Sequence, residues 1–134
     1  MRSDFIQSLK LNQAQFGFNL ADRQIEKLAD YFELVREHSP LLHLVGPCSP
    51  EEFATRHILE SLTLLEFLPT NARFADVGTG AGLPSIPCLI VREDLSAVLI
   101  ESKEKKAEFL ETAVRDPGIS DRAEIVNRQF SEAD

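Results

Sequence analysis

The chain has 134 residues, the size of one modest domain, and 43% of them are hydrophobic, enough for a packed core and too many for a disordered chain. Fourteen basic residues against 22 acidic ones leave a net charge of −8, divided evenly at −4 between residues 1–71 and 72–134. No basic domain is therefore hidden inside an acidic average, which disfavours strong non-specific nucleic-acid binding but leaves room for a local basic patch or a nucleic acid recognised by shape.

Residues 4–15 have a helical pattern with Phe5, Ile6, Leu9 and Leu11 on one side, fraying into a turn at Gly17. Asp22 is the expected N-cap of a second helix reaching about Glu37, with the stripe Ile25, Leu28, Phe32 and Val35, and Ser39-Pro40 is expected to stop it. Leu41 to Pro47 reads as an apolar connector. Ser49-Pro50-Glu51-Glu52 is a helix start: Ser49 caps, Pro50 suits the first helical position, and Glu52 completes a capping box. That helix should run to about Phe67, bury Phe53, Leu59, Leu62 and Leu65, and end at Pro69.

The pattern then changes to strands alternating with helices. Strands are predicted at 73–77, 96–100 and 123–127, with helices at 84–92 and 103–115 and a turn at Gly118. This alternation implies parallel pairing with right-handed crossovers. The fold class is α/β, with an N-terminal helical region (1–70) followed by part of a Rossmann-like sheet (71–134) in a single domain. No apolar run approaches the ~20 residues of a membrane span. Met1 to Phe5 leads into an amphipathic helix rather than a signal peptide. Cys48 and Cys88 lack metal or redox spacing and read as buried or half-buried free thiols. A cytoplasmic protein without metal is the expectation.

The chemistry concentrates in Phe74-Ala-Asp-Val-Gly-Thr-Gly-Ala-Gly-Leu-Pro84. A short strand carries an acid, Asp76, near its end and runs through a glycine-rich turn into a helix, which is how a Rossmann-like domain grips a nucleotide-bearing cofactor. Gly78 and Gly80 permit positive φ and close backbone approach, and Gly82 lets the next helix pack on the sheet. A tight turn without a ligand is the alternative. Glu101 follows Gly82 by 19 residues at the end of the second strand, where a carboxylate can accept both ribose hydroxyls of an adenosine-type cofactor. Otherwise it is a solvated acid at a helix start, worth a few tenths of a kcal/mol. The loop is spaced G-x-G-x-G, with Leu83 where a nicotinamide-binding loop has its third glycine, so S-adenosylmethionine is favoured over NAD.

These residues resemble the bacterial ribosomal small-subunit RNA methyltransferase G family, also called glucose-inhibited division protein B. Asp76 to Pro87 is similar to the family's signature, with Ser85 where glycine is usual. Phe53 to Leu62 resembles its Arg-His-x-x-Asp-Ser segment, with Glu60 for Asp, and Leu99 to Leu110 resembles its acid-Ser-x-x-Lys pattern. The resemblance covers about residues 20–130. It implies a class I methyltransferase that uses S-adenosylmethionine to methylate N7 of a guanine in 16S ribosomal RNA, with that RNA or the small ribosomal subunit as partner. Guanine N7 has a free lone pair, so no general base is needed and catalysis can rest on positioning and desolvation.

The implied cofactor-binding residues are Asp76, Gly78, Thr79, Gly80, Gly82, Leu83 and Glu101, joined near the adenine by Arg128, Gln129 and Phe130, the last standing where an acid is usual. Arg56 and His57 are candidates for the substrate cleft, against the plainer reading of an Arg56–Glu60 pair beside a half-buried histidine. His43 stands where the family has asparagine and reads as structural or simply divergent. Lys103, Lys105 and Lys106 read as a solvated helix face, with phosphate contact as the alternative. The class I sheet is normally seven-stranded, and this sequence supplies about three strands. The first strand should then have an unpaired edge open to association. Three origins fit: a fragment, a truncated homologue without catalysis, or an edge covered by another chain. The chain alone is expected to show weak or no turnover. A non-catalytic form that binds cofactor or a partner is the second functional reading.

Overall fold

The structure, a computed structural model, describes residues 1–129. Helix α1 (Arg2–Asn12) buries Phe5 and Leu9 and passes into a 3₁₀ turn, Gln13–Phe16. Leu11 does not share the expected stripe and is 77% exposed. It stands two residues from Leu9, roughly 200° around a helix, on the opposite side.

Helix α2 (Asp22–Leu42) differs from expectation at both ends. Its N-cap is Ala21, whose N–H donates to Gln24 Oε1 at 2.8 Å, so Asp22 is the first helical residue rather than the cap. It also continues through Pro40 to Leu42 and ends at His43, whose φ is 54°. A proline in the last turn costs the helix only one hydrogen bond. Replacement bonds are close by: His43 N–H donates to Ser39 O at 2.7 Å, and Ser39 Oγ donates to Val45 O and accepts from Val45 N–H.

The Ser49 capping box forms as expected. Glu52 N–H donates to Ser49 Oγ and Ser49 N–H donates to Glu52 Oε1, both at 3.0 Å. The run beyond it is one path of changing pitch: α3 (Pro50–Glu52), a π segment (Phe53–Leu59), α4 (Glu60–Leu62) and a 3₁₀ segment (Thr63–Phe67). The wider π turn rotates the later side chains, so Ile58 and Ala54 join Phe53, Leu59 and Leu62 in the core while Leu65 is only half-buried.

The helices are joined by aromatic packing. Phe5 stacks on Phe32 at 4.6 Å, and Phe53 tilts against Phe32 at 5.1 Å and Tyr31 at 6.3 Å. At the surface Arg2 bridges Glu26, Asp30 and Glu33 on one face of α2.

Strand β1 (Arg73–Val77), helix α5 (Ser85–Val91), strand β2 (Ser96–Glu101), helix α6 (Glu104–Arg115) and strand β3 (Ala123–Asn127) follow in order. The strands form a parallel sheet in the order β1-β2-β3, with Phe74 opposite Ala97 and Leu99 opposite Ile125. Arg122 fastens the end of α5, donating to Leu89 O and Leu95 O at 2.8 Å. Arg92 holds Leu68 O and Asp94, and that guanidinium keeps the Asp94 carboxyl well below the usual carboxylate range. One core joins the helical region to the sheet, running from Phe5 and Leu28 through Leu59 to Leu89, Leu99 and Leu110.

Candidate functional site

The loop between β1 and α5 is built by backbone hydrogen bonds before any ligand is considered. Gly78 N–H donates to Ile100 O at 2.8 Å, extending the ladder one residue past β1. Gly82 N–H donates to Thr79 O at 3.0 Å, and Ile86 N–H to Gly82 O at 2.7 Å, which turns the chain into α5. Gly78, Gly80 and Gly82 have φ of 71°, 61° and 90°. Their surroundings differ. A Cβ on Gly78 or Gly80 would meet nothing within 4 Å, so the backbone there borders open space. A Cβ on Gly82 would collide with Ile86 and lie 3.2 Å from Leu110.

Two carboxylates sit at the strand ends. Asp76 Oδ2 accepts from Thr79 Oγ1 at 3.0 Å and from Ser85 Oγ, and both hydroxyl residues are buried. Glu101 is only 5% exposed, yet neither oxygen is unpaired: Oε1 accepts from Gly80 N–H at 3.0 Å and Oε2 from Lys103 N–H at 2.9 Å. Parallel pairing of Val77 with Ile100 is what brings Glu101 to a loop some twenty residues earlier. The backbone carbonyl of Glu101 accepts from Asn127 Nδ2 and Arg128 N–H, which ties the end of β3 to the same corner.

The helical region reaches the loop through Tyr31. Its hydroxyl is buried and donates to Ala81 O at 2.7 Å. Burial, and secondarily the charge of Asp76, pushes its pKa well above the usual tyrosine range, so it stays a donor.

The structure thus assembles Asp76, Thr79, Gly80 and Glu101 into one bonded corner, with Gly78 at its open side and the Arg128 backbone at its edge. Leu83 is half-buried against the core, Gln129 follows Arg128, and Phe130 lies outside the described residues. Arg56 pairs with Glu52 at 3.9 Å, not with Glu60. His57 is half-buried against the Phe53 ring at 5.2 Å, and burial lowers its pKa. Among the described residues their partners belong to their own helical run. Lys103 and Lys105 are exposed and Lys106 is half-buried. Cys48 is half-buried and Cys88 buried, both free.

Sequence reasoning missed Tyr31, Ser85 and Asn127 as supports of this corner. Only Ser85 carried a signal, as a serine where the family has glycine. The cavity of about 520 Å³ beside Arg36, His43 and Cys48 contains none of the loop residues in its lining.

A parallel sheet, a glycine-rich turn from its first strand into a helix, and a buried acid at the end of the next strand define part of a Rossmann-like fold. Comparison with known proteins narrows that class. The family model described as rRNA small subunit methyltransferase G matches residues 24–133, and the chain belongs to that family. A "Ribosomal RNA small subunit methyltransferase G" of Actinobacillus pleuropneumoniae serotype 5b is 38% identical over 118 residues, covering 88% of this chain and 56% of that protein. Proteins of the same name from Sorangium cellulosum and Chromobacterium violaceum are 42% and 34% identical, covering 72% and 92% of this chain. The chain spans about half the length of the first of these relatives.

Proposed function

We propose that this chain carries the S-adenosylmethionine-binding part of a class I methyltransferase that modifies guanine N7 in 16S ribosomal RNA. The observation that carries the reading is Glu101: a buried carboxylate, locked by two backbone N–H groups, beside a glycine loop with open space at Gly78 and Gly80. A carboxylate oxygen accepts more than one hydrogen bond, so each Glu101 oxygen retains capacity for a ribose hydroxyl. Asp76 would present its second oxygen, Oδ1, on the same side, with Thr79 and Ser85 fixing the first. Gly78, Thr79, Gly80 and Leu83 would line the cofactor, Gly82 would shape the loop, and Arg128, Gln129 and Phe130 would approach the adenine.

When bound, the cofactor supplies an electrophilic methyl group. Guanine N7 has a free lone pair, so the residues need not remove a proton from the substrate. Their work is orientation and exclusion of water. Arg56 and His57 are proposed to face the RNA. A ribosomal substrate would place the protein in the cytoplasm. No helix among the described residues is long and apolar enough to cross a membrane.

Calorimetric titration of S-adenosylmethionine into residues 1–134, with Gly80→Arg as control, tests the reading. Saturable binding that the control abolishes is expected. A folded chain that binds none overturns cofactor binding by this chain. A second reading of these residues is cofactor binding without turnover. It predicts cofactor binding with no methyl transfer to 16S RNA, and efficient transfer by residues 1–134 would exclude it.

A further inference from the structure

The glycine loop is held from two sides. On the sheet side, Gly78 N–H donates to Ile100 O and Gly80 N–H to Glu101 Oε1. On the helical side there is one bond, from the Tyr31 hydroxyl to Ala81 O at 2.7 Å. Among the described residues it is the only hydrogen bond between residues 1–70 and residues 78–84, and Tyr31 is the only donor to that carbonyl.

Both ends of this bond are buried. The Tyr31 ring packs against Phe53, and the helix that carries it is fixed by the stack of Phe32 on Phe5. The hydroxyl therefore reaches the loop from a rigid base. Ala81, by contrast, lies between Gly80 and Gly82, which have left-handed φ of 61° and 90° and no side chains to anchor the turn. A buried carbonyl without a donor is costly. Without the hydroxyl, Ala81 O stays unpaired or swings toward water, and the loop leaves the conformation in which Gly78 and Gly80 border open space.

We propose that Tyr31 is a positioning residue for the glycine loop: from the helical region, its hydroxyl holds the loop in the conformation that S-adenosylmethionine binds. The proposal rests on the reading of this loop as the cofactor site. When the hydroxyl is absent, binding must first draw Ala81 O back into place, and affinity falls with the fraction of molecules whose loop is already set. One net hydrogen bond corresponds to roughly tenfold in such an equilibrium.

Tyr31→Phe keeps the ring and removes only the hydroxyl. Ser49→Ala, at a helix cap that bonds to none of the loop residues, serves as a destabilised control with the Tyr31 bond intact. Each is compared with the unaltered chain by calorimetric titration of S-adenosylmethionine and by amide hydrogen exchange without ligand, where circular dichroism shows all three folded. Tyr31→Phe should weaken binding roughly tenfold and speed exchange of the Gly80 and Gly82 amides by a similar factor, with the α2 and β2 amides unchanged. Ser49→Ala should do neither. A second measurement needs no substitution. Tyr31 is the chain's only tyrosine, so incorporated fluorotyrosine gives one fluorine NMR signal, which should shift on cofactor binding and stay still in Gly80→Arg. Unchanged affinity in Tyr31→Phe, exchange that rises uniformly through the helices, or a fluorine signal indifferent to saturating cofactor would overturn the proposal and leave the cofactor site standing. If the unaltered chain binds no cofactor, the cofactor reading fails first. The exchange data then decide separately: faster Gly80 and Gly82 amides support Tyr31 as the anchor of the loop, and unchanged ones overturn it.

Discussion

Three glycines of one motif are predicted to respond differently to a single methyl group. Gly78, Gly80 and Gly82 all have φ between 61° and 90°, so alanine at any of them carries the strain of a left-handed backbone, about 1–2 kcal/mol. At Gly78 and Gly80 that is the whole cost, because a Cβ meets nothing within 4 Å. At Gly82 the Cβ also drives into the side chain of Ile86, which is fully buried, and lies 3.2 Å from Leu110. Overpacking of this kind adds roughly 1–3 kcal/mol. For a domain of this size each kcal/mol lowers Tm by about 3–4 °C. Gly78→Ala and Gly80→Ala should therefore lose about 3–8 °C, and Gly82→Ala a further 3–12 °C or so, in thermal unfolding followed by circular dichroism. Cofactor titration should show the reverse emphasis, with Gly78→Ala and Gly80→Ala weakening binding while the protein remains folded. If Gly82→Ala melts within about 2 °C of the other two, the division of the motif into ligand-facing and packing glycines is wrong.

Further expectations concern single groups. Ser49→Ala removes half of a reciprocal cap and should cost about 1 kcal/mol, seen as a lower urea midpoint with an unchanged slope. Because bonds from Ser49, its backbone N–H first, depress the Glu52 pKa, their stabilisation is present above the unfolded value of a glutamate and is lost as pH falls through the folded one; Glu52→Gln should flatten that acid limb. Burial first, and then Arg56, lowers the His57 pKa, so the unfolded chain binds the proton more readily. Stability should fall as pH drops below about 6.5, and His57→Gln should remove that slope while leaving the neutral-pH stability similar. The Cys88 thiol, pushed up to about 12 by burial, should resist alkylation at pH 8, so peptide mapping should find Cys48 labelled first.

The features legible in the sequence share one property: their information is local. The bounds of β1 and β3 follow from short apolar runs between turns, and the Ser49 box is complete within four residues. The glycine loop and Glu101 were legible because spacing along a strand-turn-helix unit fixes where they meet. Misreadings arose where a distant or unexpected partner decides. Proline normally ends a helix, but Ser39 supplies bonds that carry α2 past Pro40 to Leu42. Asp22 has the chemistry of a cap, yet Gln24 caps Ala21 instead. Arg56 turns back to Glu52 as the helix widens into a π segment. Tyr31 had no polar pattern around it, since its partner is a backbone carbonyl fifty residues away.

The corner around Glu101 also shows how a site can be prepared by folding alone. A buried carboxylate without partners would be costly and would gain a proton or draw in water. Here the two N–H groups that satisfy it come from the glycine loop and from the start of α6, the elements a nucleotide would have to touch. The same bonds that make burial of the acid tolerable therefore set the distance between β2 and the loop. Tyr31 and Ser85 act on the loop from the other side, through Ala81 O and Asp76. A ligand arriving at Gly78 and Gly80 would meet acceptors already oriented, and little binding energy would be spent on ordering them. Tyr31 belongs to α2, which is packed by Phe5, Phe32 and Phe53, so the N-terminal helices are part of the framework of the proposed site and not an appendage to it.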